Sequence, residues 1–361
     1  MGGTGRSGTT IAAQLLGAHP QVMLIPVELR FHVDGGGLTD LAAGRIDLDG
    51  FEQKLWSTWF HRPPNRSGPR GVHVVAEEAH AVAELRSLRD ALGEGEDRWH
   101  ACGTFMDRLL RPACERAGAR TWVEMTPPNA RQADALCRMF PQARLVHMVR
   151  DGRDVAASVA RRTWGPNDIS SALAWWKKGV VTIHRALERA DPDRVRTIRL
   201  EELVVGRRDE EYASLLTFTG LDDDESMRQF FDSALRAEDM HEGRWRHGLD
   251  PQTVQKVQEE YVAYLRELDW LGIAISGLLD RAGARSPARH GLRADRPAHW
   301  VGFGHASSSR DRWCRLHRCE LRPSRARAHR GRGGGAGLVH LCRVTAGPRR
   351  ASGGTGPGGG G

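Results

Sequence analysis

Residues 2–16 read Gly2-Gly3-Thr4-Gly5-Arg6-Ser7-Gly8-Thr9-Thr10-Ile11-Ala12-Ala13-Gln14-Leu15-Leu16. In this stretch a glycine-rich turn leads directly into an apolar helical segment. Glycine permits positive φ and close approach of the backbone, so several N–H groups can point at one anion with the helix dipole behind them. The stretch therefore predicts a phosphate-binding loop at a helix N-terminus.

The loop differs from that of nucleotide triphosphatases at one decisive position. Gly3 and Gly8 have the usual spacing, but Thr9 stands where those enzymes place a lysine, and Arg6 is the only cation of the loop. No predicted strand ends in an aspartate suited to Mg²⁺, which also argues against a P-loop kinase. For the glycines alone, a flexible start of the chain or a helix N-cap is the alternative. The hydroxyls of the loop add donors from Ser7, Thr9 and Thr10.

A second motif lies far downstream. Residues 144–149 form an apolar run that predicts a strand, and Arg150-Asp151-Gly152-Arg153-Asp154-Val155-Ala156-Ala157-Ser158 follows it. If the strand ends at Arg150 and a helix begins near Asp151, Ser158 lies about two turns along that helix. Arg150 and Ser158 can then approach one phosphate from two sides. A local ion pair of Arg150 with Asp151 is the alternative.

Together the two motifs resemble the sulfotransferases that use 3′-phosphoadenosine 5′-phosphosulfate (PAPS). The first motif, with Ala18-His19-Pro20 after its helix, is similar to their 5′-phosphosulfate loop, and the second is similar to their 3′-phosphate site. The resemblance implies an α/β fold with a P-loop-type parallel sheet flanked by helices. It also implies PAPS as co-substrate and a reaction that needs no metal. The cofactor-binding residues it implies are Gly5, Arg6, Ser7, Gly8, Thr9, Thr10, Arg150 and Ser158.

The acceptor side is indicated by Glu28-Leu29-Arg30. This segment resembles the Glu-x-Arg of tyrosylprotein sulfotransferases, which implies that Glu28 is the catalytic base, that Arg30 binds substrate and that Arg6 stabilises the leaving group. A structural carboxylate paired with Arg30 is the alternative for Glu28. The acceptor class stays open among small molecules, carbohydrates and peptides.

Two positions depart from the family pattern. Residues 122–129 resemble a segment that commonly reads Glu-Lys-Thr-Pro-x-Asn, and Met125 stands in the place of the lysine. Leu200 stands where many members have a tyrosine near the adenine. A methionine cannot stabilise a leaving group, so an inactive nucleotide-binding relative remains the alternative function.

A basic turn, Gly243-Arg244-Trp245-Arg246, precedes a predicted helix that begins with Asp250-Pro251, an N-cap followed by proline. Basic loops near this point of the family fold close over the nucleotide. The resemblance therefore implies that Arg244, or Arg246, contacts the 3′-phosphate. An exposed basic turn is the alternative.

The pattern of hydrophobic residues predicts one sulfotransferase domain over residues 1–280, with a helical insertion at residues 31–118 that shapes the acceptor pocket. Aromatic candidates for that pocket are Phe31, Trp56, Trp59 and Phe60, although their helical spacing also fits a core. Predicted strands are Val22–Ile25, Thr121–Met125, Leu145–Val149 and Val195–Leu200. Predicted helices span residues 41–59, 74–92, 99–117, 130–139, 154–162, 169–190, 212–219, 223–237 and 251–268.

The composition changes sharply near the C-terminus. The whole chain carries +8, but residues 281–361 hold 17 arginines, no lysine and three acids, a net charge of +14, which leaves −6 for residues 1–280. Residues 281–361 are therefore predicted to be a disordered Arg/Gly-rich tail, and nucleic-acid binding is not expected of the enzyme body. Translation of a GC-rich gene in a wrong frame after about residue 285 would explain this composition. A genuine basic arm is the alternative, and intact-mass measurement of the native product distinguishes the two.

Other expectations concern the start of the chain and its compartment. Only Met1 precedes the loop, so the first strand is predicted to be mostly missing, with a start codon further upstream. Cys102, Cys114 and Cys137 are interpreted as buried thiols of a reducing compartment. The sequence contains neither a signal peptide nor a long apolar run, and a cytoplasmic protein without a membrane partner is expected.

Overall fold

A computed structural model describes residues 1–65, 68–240 and 242–273 together with Ile275 and Leu278, all within one compact unit. The predicted tail, residues 281–361, lies outside the described residues. The strands are β1 (Gly2–Gly3), β2 (Val22–Leu24), β3 (Arg62–Asn65), β4 (Gly68–Arg70), β5 (Thr121–Val123), β6 (Leu145–Val149) and β7 (Val195–Arg199). The α-helices are α1 (Thr9–Gly17), α2 (Leu38–Ala42), α3 (Leu48–Lys54), α4 (Glu78–Gly93), α5 (Arg98–Arg116), α6 (Ala133–Met139), α7 (Gly152–Val159), α8 (Ile169–Leu187), α9 (Arg208–Thr219), α10 (Glu225–Ala234) and α11 (Pro251–Trp270).

Parallel strand pairing confirms the predicted α/β class. β1, β6 and β7 form one parallel sheet with β6 in the centre, and β2 pairs with β5 in the same parallel sense. All five residues of β6 are buried, as expected for a parallel strand covered by helices on both faces. Beside these strands, β3 and β4 form a separate antiparallel hairpin.

The first strand is short but firmly tied. Gly2 and Gly3 pair with His147 and Met148 of β6. The amino group of Met1 donates a hydrogen bond of 2.7 Å to the carbonyl oxygen of Glu124, directly after β5. The start of the phosphate-binding loop is therefore held between β5 and β6.

The two faces of β6 belong to different hydrophobic clusters. Val146 and Met148 pack with Leu15 and Leu16 of α1, whereas Val149 packs with Trp176 of α8. This alternation follows from the two-residue period of a strand. Burying one such aliphatic side chain contributes about 1.5–3 kcal/mol, so both helices are held firmly against the strands that lead to the loop.

The predicted insertion supplies most of one hydrophobic cluster, which it shares with β2 and β5. Phe51 and Phe105 contact each other edge to face, with ring centroids 6.0 Å apart. Phe31, Trp59 and Phe60 are also buried in this cluster. These three are core residues, so their assignment to an acceptor pocket is wrong, and the alternative noted from their spacing is the correct one. Trp56 is half-buried against Phe60.

The predicted helix over residues 41–59 is also wrong, since the segment divides into α2, α3 and a π-helical turn, Leu55–Phe60. Gly44 lies between α2 and α3 with φ of +70°, a conformation that ends a helix. Asp47 then starts α3 by accepting a hydrogen bond of 2.8 Å from the backbone N–H of Gly50. Among the described residues, no helix combines the length and apolar character needed to cross a membrane.

Candidate functional site

The loop between β1 and α1 has an unusual backbone. φ is positive at Gly5 (+87°), at Arg6 (+58°) and at Gly8 (+93°). For a residue with a side chain, such as Arg6, this region costs on the order of 1–3 kcal/mol. A Cβ at Gly3 would lie 2.3 Å from Ser7 Oγ, so this position requires glycine. Such a backbone at a helix N-terminus forms a concave site for an anion.

The structure brings the two predicted motifs together. Arg6 Nε donates a hydrogen bond of 2.9 Å to Ser158 Oγ. The guanidinium of Arg150 donates one of 3.4 Å to the carbonyl oxygen of Arg6. Residues more than 140 positions apart in sequence therefore surround one space in front of α1.

Arg150 and Ser158 are positioned by the turn between β6 and α7. Asp151 caps α7 by accepting from the backbone N–H of Arg153 at 2.8 Å, and it binds the Arg153 guanidinium as well. The backbone N–H of Asp151 in turn donates to Glu201 at 2.8 Å. This buried network fixes the end of β6, and with it the direction in which Arg150 leaves the sheet.

Positive charge is concentrated around Arg6. Burial lowers the pKa of Arg6, and the neighbouring charges of Arg162 and Arg150 lower it further, whereas Glu28 acts in the opposite direction. Neighbouring guanidinium groups that disfavour the charge of Arg6 favour an anion among them. Sequence reasoning missed Arg162, because an arginine after α7 carries no motif of its own.

Glu28, Arg30 and Asp34 form one ionic cluster. Arg30 donates a hydrogen bond of 3.0 Å to Glu28 and two to Asp34, at 2.7 and 3.1 Å. Burial raises the pKa of Glu28, and Arg30 partly offsets that shift. Burial disfavours the charge of Arg30, but Asp34 and Glu28 outweigh this and raise its pKa. Arg30 is therefore engaged by two carboxylates, and Glu28 keeps a side chain that is 42% exposed.

A buried carboxylate, Glu124, lies behind this cluster. It accepts from the backbone N–H of Leu29 at 3.2 Å and of Thr126 at 2.8 Å, from the Thr126 hydroxyl, and from Asn129 at 2.6 Å. Burial alone would raise the pKa of Glu124, but His32, at 3.4 Å, and the donors around it lower the pKa to about 2. Glu124 thus joins the end of β5 to the segment that carries Glu28. The sequence resemblance covered this segment but gave Glu124 no role.

Both departures from the family pattern are packed in the apolar core beside α1. Met125 is buried with Leu15 and Leu16, and Leu200 belongs to the same cluster. A Cβ added at Gly8 would lie 2.9 Å from Leu200, so this leucine covers the loop glycine from the β7 side.

The basic turn is anchored to α7. Asp154 accepts hydrogen bonds from the backbone N–H groups of Gly243, at 2.9 Å, and Trp245, at 3.1 Å. Trp245 is buried, whereas Arg244 and Arg246 are exposed. The turn therefore lies against the helix that carries Ser158, and among the described residues no hydrogen bond or salt bridge joins Arg244 to the loop.

A cavity of about 420 Å³ lies between β6, β7 and α8. Arg150 and Thr4 line it together with polar side chains of β6 and β7 such as His147 and Thr197. Burial, and then the neighbouring His184, lower the pKa of His147 to about 4. The imidazole of His147 is therefore neutral at neutral pH, and Arg150 lines the same cavity.

Three solved structures resemble the chain at low identity. The sulfotransferase domain from the curacin biosynthetic pathway is 17% identical, with a TM-score of 0.39 over 78% of this chain and 96% of that chain. A sulfotransferase from Mycobacterium tuberculosis is 18% identical, with a TM-score of 0.38 over 73% and 75%. The sulfotransferase domain of the Synechococcus PCC 7002 olefin synthase is 18% identical, with a TM-score of 0.40 over 78% and 92%.

A search of curated proteins found no match. A sequence model described as the sulfotransferase family matches residues 1–225, which is more than half of the chain. The protein belongs to the sulfotransferase family.

Proposed function

We propose that the protein transfers a sulfuryl group from PAPS to the hydroxyl of an acceptor. The observation that carries the proposal is the convergence of Arg6, Arg150 and Ser158 at the N-terminus of α1. PAPS has anionic groups at two ends, a 5′-phosphosulfate and a 3′-phosphate, and two anion-binding motifs that share one space match that pattern.

On the donor side, the loop Gly5, Arg6, Ser7, Gly8, Thr9 and Thr10 would hold the 5′-phosphosulfate, while Arg150 and Ser158 would hold the 3′-phosphate. The residues fit such a ligand. Ser7 Oγ is buried and has no hydrogen-bond partner among the described residues, as expected of a donor that lacks its acceptor. Arginines and the dipole of α1 supply the positive charge. Arg244, on the turn that packs against α7, would reach the 3′-phosphate from the solvent side.

On the acceptor side, Glu28 is the proposed base. As the acceptor oxygen bonds to sulfur, the bond between sulfur and the bridging oxygen of the nucleotide breaks, and the hydroxyl proton passes to the Glu28 carboxylate. Such general-base catalysis contributes about 10²–10⁴-fold. The raised pKa of Glu28 makes it a stronger base than an exposed glutamate.

Arg6 and Arg30 have different proposed roles. Arg6 would stabilise the charge that develops on the bridging oxygen of the leaving nucleotide. Arg30 would contact the acceptor and hold Glu28, since its guanidinium already bridges Glu28 and Asp34. Because Met125 packs in the core, Arg6 would stabilise the leaving group without the lysine that many relatives have.

We also propose a cytoplasmic enzyme. Cys102, Cys114 and Cys137 are free thiols, and burial raises the pKa of Cys102 and Cys114 to about 12. Buried unreactive thiols are typical of proteins from reducing compartments. The acceptor is proposed to be a small molecule, a carbohydrate or a peptide.

Thermal unfolding with nucleotides tests the donor. A ligand at 100 times its dissociation constant stabilises by about 2.7 kcal/mol. We expect 3′-phosphoadenosine 5′-phosphate to raise the melting temperature, and ATP with Mg²⁺ to leave it unchanged. The opposite preference would overturn the proposal in favour of a nucleotide triphosphatase.

An assay of sulfate transfer then distinguishes an active enzyme from an inactive nucleotide-binding relative. It measures the transfer of radiolabelled sulfate from PAPS to a panel of hydroxyl compounds. Arg6→Ala is expected to abolish transfer, and Arg116→Ala, an exposed arginine at the end of α5, serves as the matched control. Nucleotide binding without transfer to any acceptor class would instead favour the inactive nucleotide-binding relative.

A further inference from the structure

The hairpin formed by β3 and β4 carries an unusual pair of like charges. Arg62 lies directly opposite Arg70 in the antiparallel register. Like charges at directly opposed positions destabilise a hairpin. Among the described residues, neither guanidinium forms a hydrogen bond or a salt bridge.

The base of this hairpin is held in a fixed position. Gly71 follows β4 with φ of +104°, and a Cβ there would lie 2.5 Å from the carbonyl oxygen of Phe60 and 2.9 Å from the nitrogen of Arg62. His73 Nδ1 forms a hydrogen bond of 2.8 Å with the same carbonyl oxygen. The backbone at Arg62 is therefore fixed by close packing against Gly71, two residues after the π-helical turn ends.

The hairpin lies beside the proposed base. The positive charge of Arg62 acts on Glu28 and lowers its pKa. The pKa of Arg62 itself is lowered by burial first, then by Arg70 and Arg30, while Asp34 and Glu28 raise it. Arg62 thus belongs to the electrostatic surroundings of the Glu28 cluster, and Arg70 is its neighbour across the hairpin.

We propose that the acceptor carries an anionic group, such as a carboxylate, which binds between Arg62 and Arg70 while the acceptor hydroxyl lies at Glu28. The proposal rests on the proposed function and adds a substrate class to it. An anion shared by two guanidinium groups would remove their repulsion and accept charge-assisted hydrogen bonds from both. Residues 1–280 are net negative, so two directly opposed arginines that form no salt bridge with a described residue are not a general property of this surface.

Matched pairs of acceptors test this proposal. The pairs are 4-hydroxyphenylacetate with its methyl ester, methyl glucuronoside with methyl glucoside, and 3-hydroxybutyrate with its methyl ester. Binding of each compound is measured by calorimetry on protein saturated with 3′-phosphoadenosine 5′-phosphate, and transfer is measured with PAPS. We expect the acid of at least one pair to bind about tenfold more tightly than its neutral partner, as one charge-assisted contact would give.

The variant Arg62→Gln/Arg70→Gln should remove this preference without changing the affinity for 3′-phosphoadenosine 5′-phosphate. The matched control is Arg116→Gln/Arg120→Gln, which makes the same change in net charge at two exposed arginines that precede β5. Equal binding of acid and neutral compound in every pair, or a preference that survives in the Arg62→Gln/Arg70→Gln variant, would overturn the inference. Failure of the nucleotide to bind would instead contradict the proposed function.

Discussion

Arg150 is proposed to recognise a part of the nucleotide that Arg6 does not. The affinity for 3′-phosphoadenosine 5′-phosphate should fall about 10- to 100-fold in Arg150→Gln, because a hydrogen bond to a charged group contributes about 1.5–3 kcal/mol. Adenosine 5′-phosphate lacks the 3′-phosphate, so its affinity should not change. Calorimetry with both nucleotides measures the difference, with Arg116→Gln as control. An equal loss for both nucleotides would mean that Arg150 acts by holding the loop through the carbonyl oxygen of Arg6.

Glu28 should determine the acidic limb of the pH–rate profile. A base must be ionised, so activity falls as the pH drops through the pKa of Glu28, which burial places above its ordinary value. Arg30 lowers this pKa, and Arg30→Gln should therefore shift the limb to higher pH. Glu28→Gln should remove the limb and reduce kcat by about 10²–10⁴-fold. The exposed residue Glu77 provides a control, since Glu77→Gln should leave the profile unchanged. A profile that is the same in wild type and Arg30→Gln contradicts the assignment.

At the level of elements, the join between β1 and α1 should tolerate no side chain at Gly8. Gly8→Ala combines positive φ with a close contact to Leu200, whereas Gly44→Ala places a Cβ in open space at a similar φ. We expect Gly44→Ala to cost on the order of 1 kcal/mol and Gly8→Ala clearly more. Urea unfolding measures both costs. Only Gly8→Ala should also weaken nucleotide binding, and equal effects of the two variants on both properties would argue against this role of the loop.

The join between β5 and the Glu28 segment depends on Glu124. Its pKa is lowered in the folded state, so its contribution to stability is fully present above the unfolded pKa and is lost as the pH falls from about 4.5 towards about 2. That difference corresponds to stabilisation on the order of 3 kcal/mol at neutral pH. Glu124→Gln should therefore destabilise the protein at pH 7, and the difference from wild type should shrink in acid. Urea unfolding over this pH range checks the prediction, and a difference that is independent of pH contradicts it.

The same variant separates a positioning role from a purely structural one. Glu124 accepts a hydrogen bond from the backbone N–H of Leu29, the residue next to Glu28. At a temperature where Glu124→Gln is fully folded, kcat should fall while the affinity for 3′-phosphoadenosine 5′-phosphate is unchanged. A variant with normal kcat would show that Glu124 contributes to stability alone.

For the molecule as a whole, the sequence was most informative where one local pattern determines one local structure. The turn into α1 and the run into β6 place Arg6 and Arg150 by backbone geometry that short motifs encode. The parallel strands β2, β5, β6 and β7 were predicted within one or two residues, whereas the hairpin of β3 and β4 was not predicted. The helix predicted over residues 41–59 was wrong, because the apolar spacing continues through Gly44, whose positive φ interrupts the helix.

Contacts between distant segments could not be predicted in the same way. Glu124 contacts Leu29 and His32 because β5 pairs with β2, and no spacing in the sequence encodes these contacts. The opposition of Arg62 and Arg70 depends on the register of a hairpin that contains a bulge. The assignment of Phe31 to core rather than pocket likewise depends on which helices pack around it.

The uneven distribution of charge leads to a prediction for the whole chain. Residues 281–361 carry a net charge of +14 and the preceding residues −6, so any general attraction to polyanions should arise from the basic segment. The full chain should bind duplex DNA with an affinity that falls steeply with salt, because each neutralised phosphate adds about −0.9 to the slope of log K against log salt concentration. A chain that ends at residue 285 retains Leu278 and its contacts in the core, and it should lose this binding while keeping its affinity for 3′-phosphoadenosine 5′-phosphate. Salt titrations of both chains by fluorescence anisotropy measure the effect. If the shorter chain still binds DNA, the attraction lies in the body, and variants of Arg62 and Arg70 would then show whether the hairpin is its source.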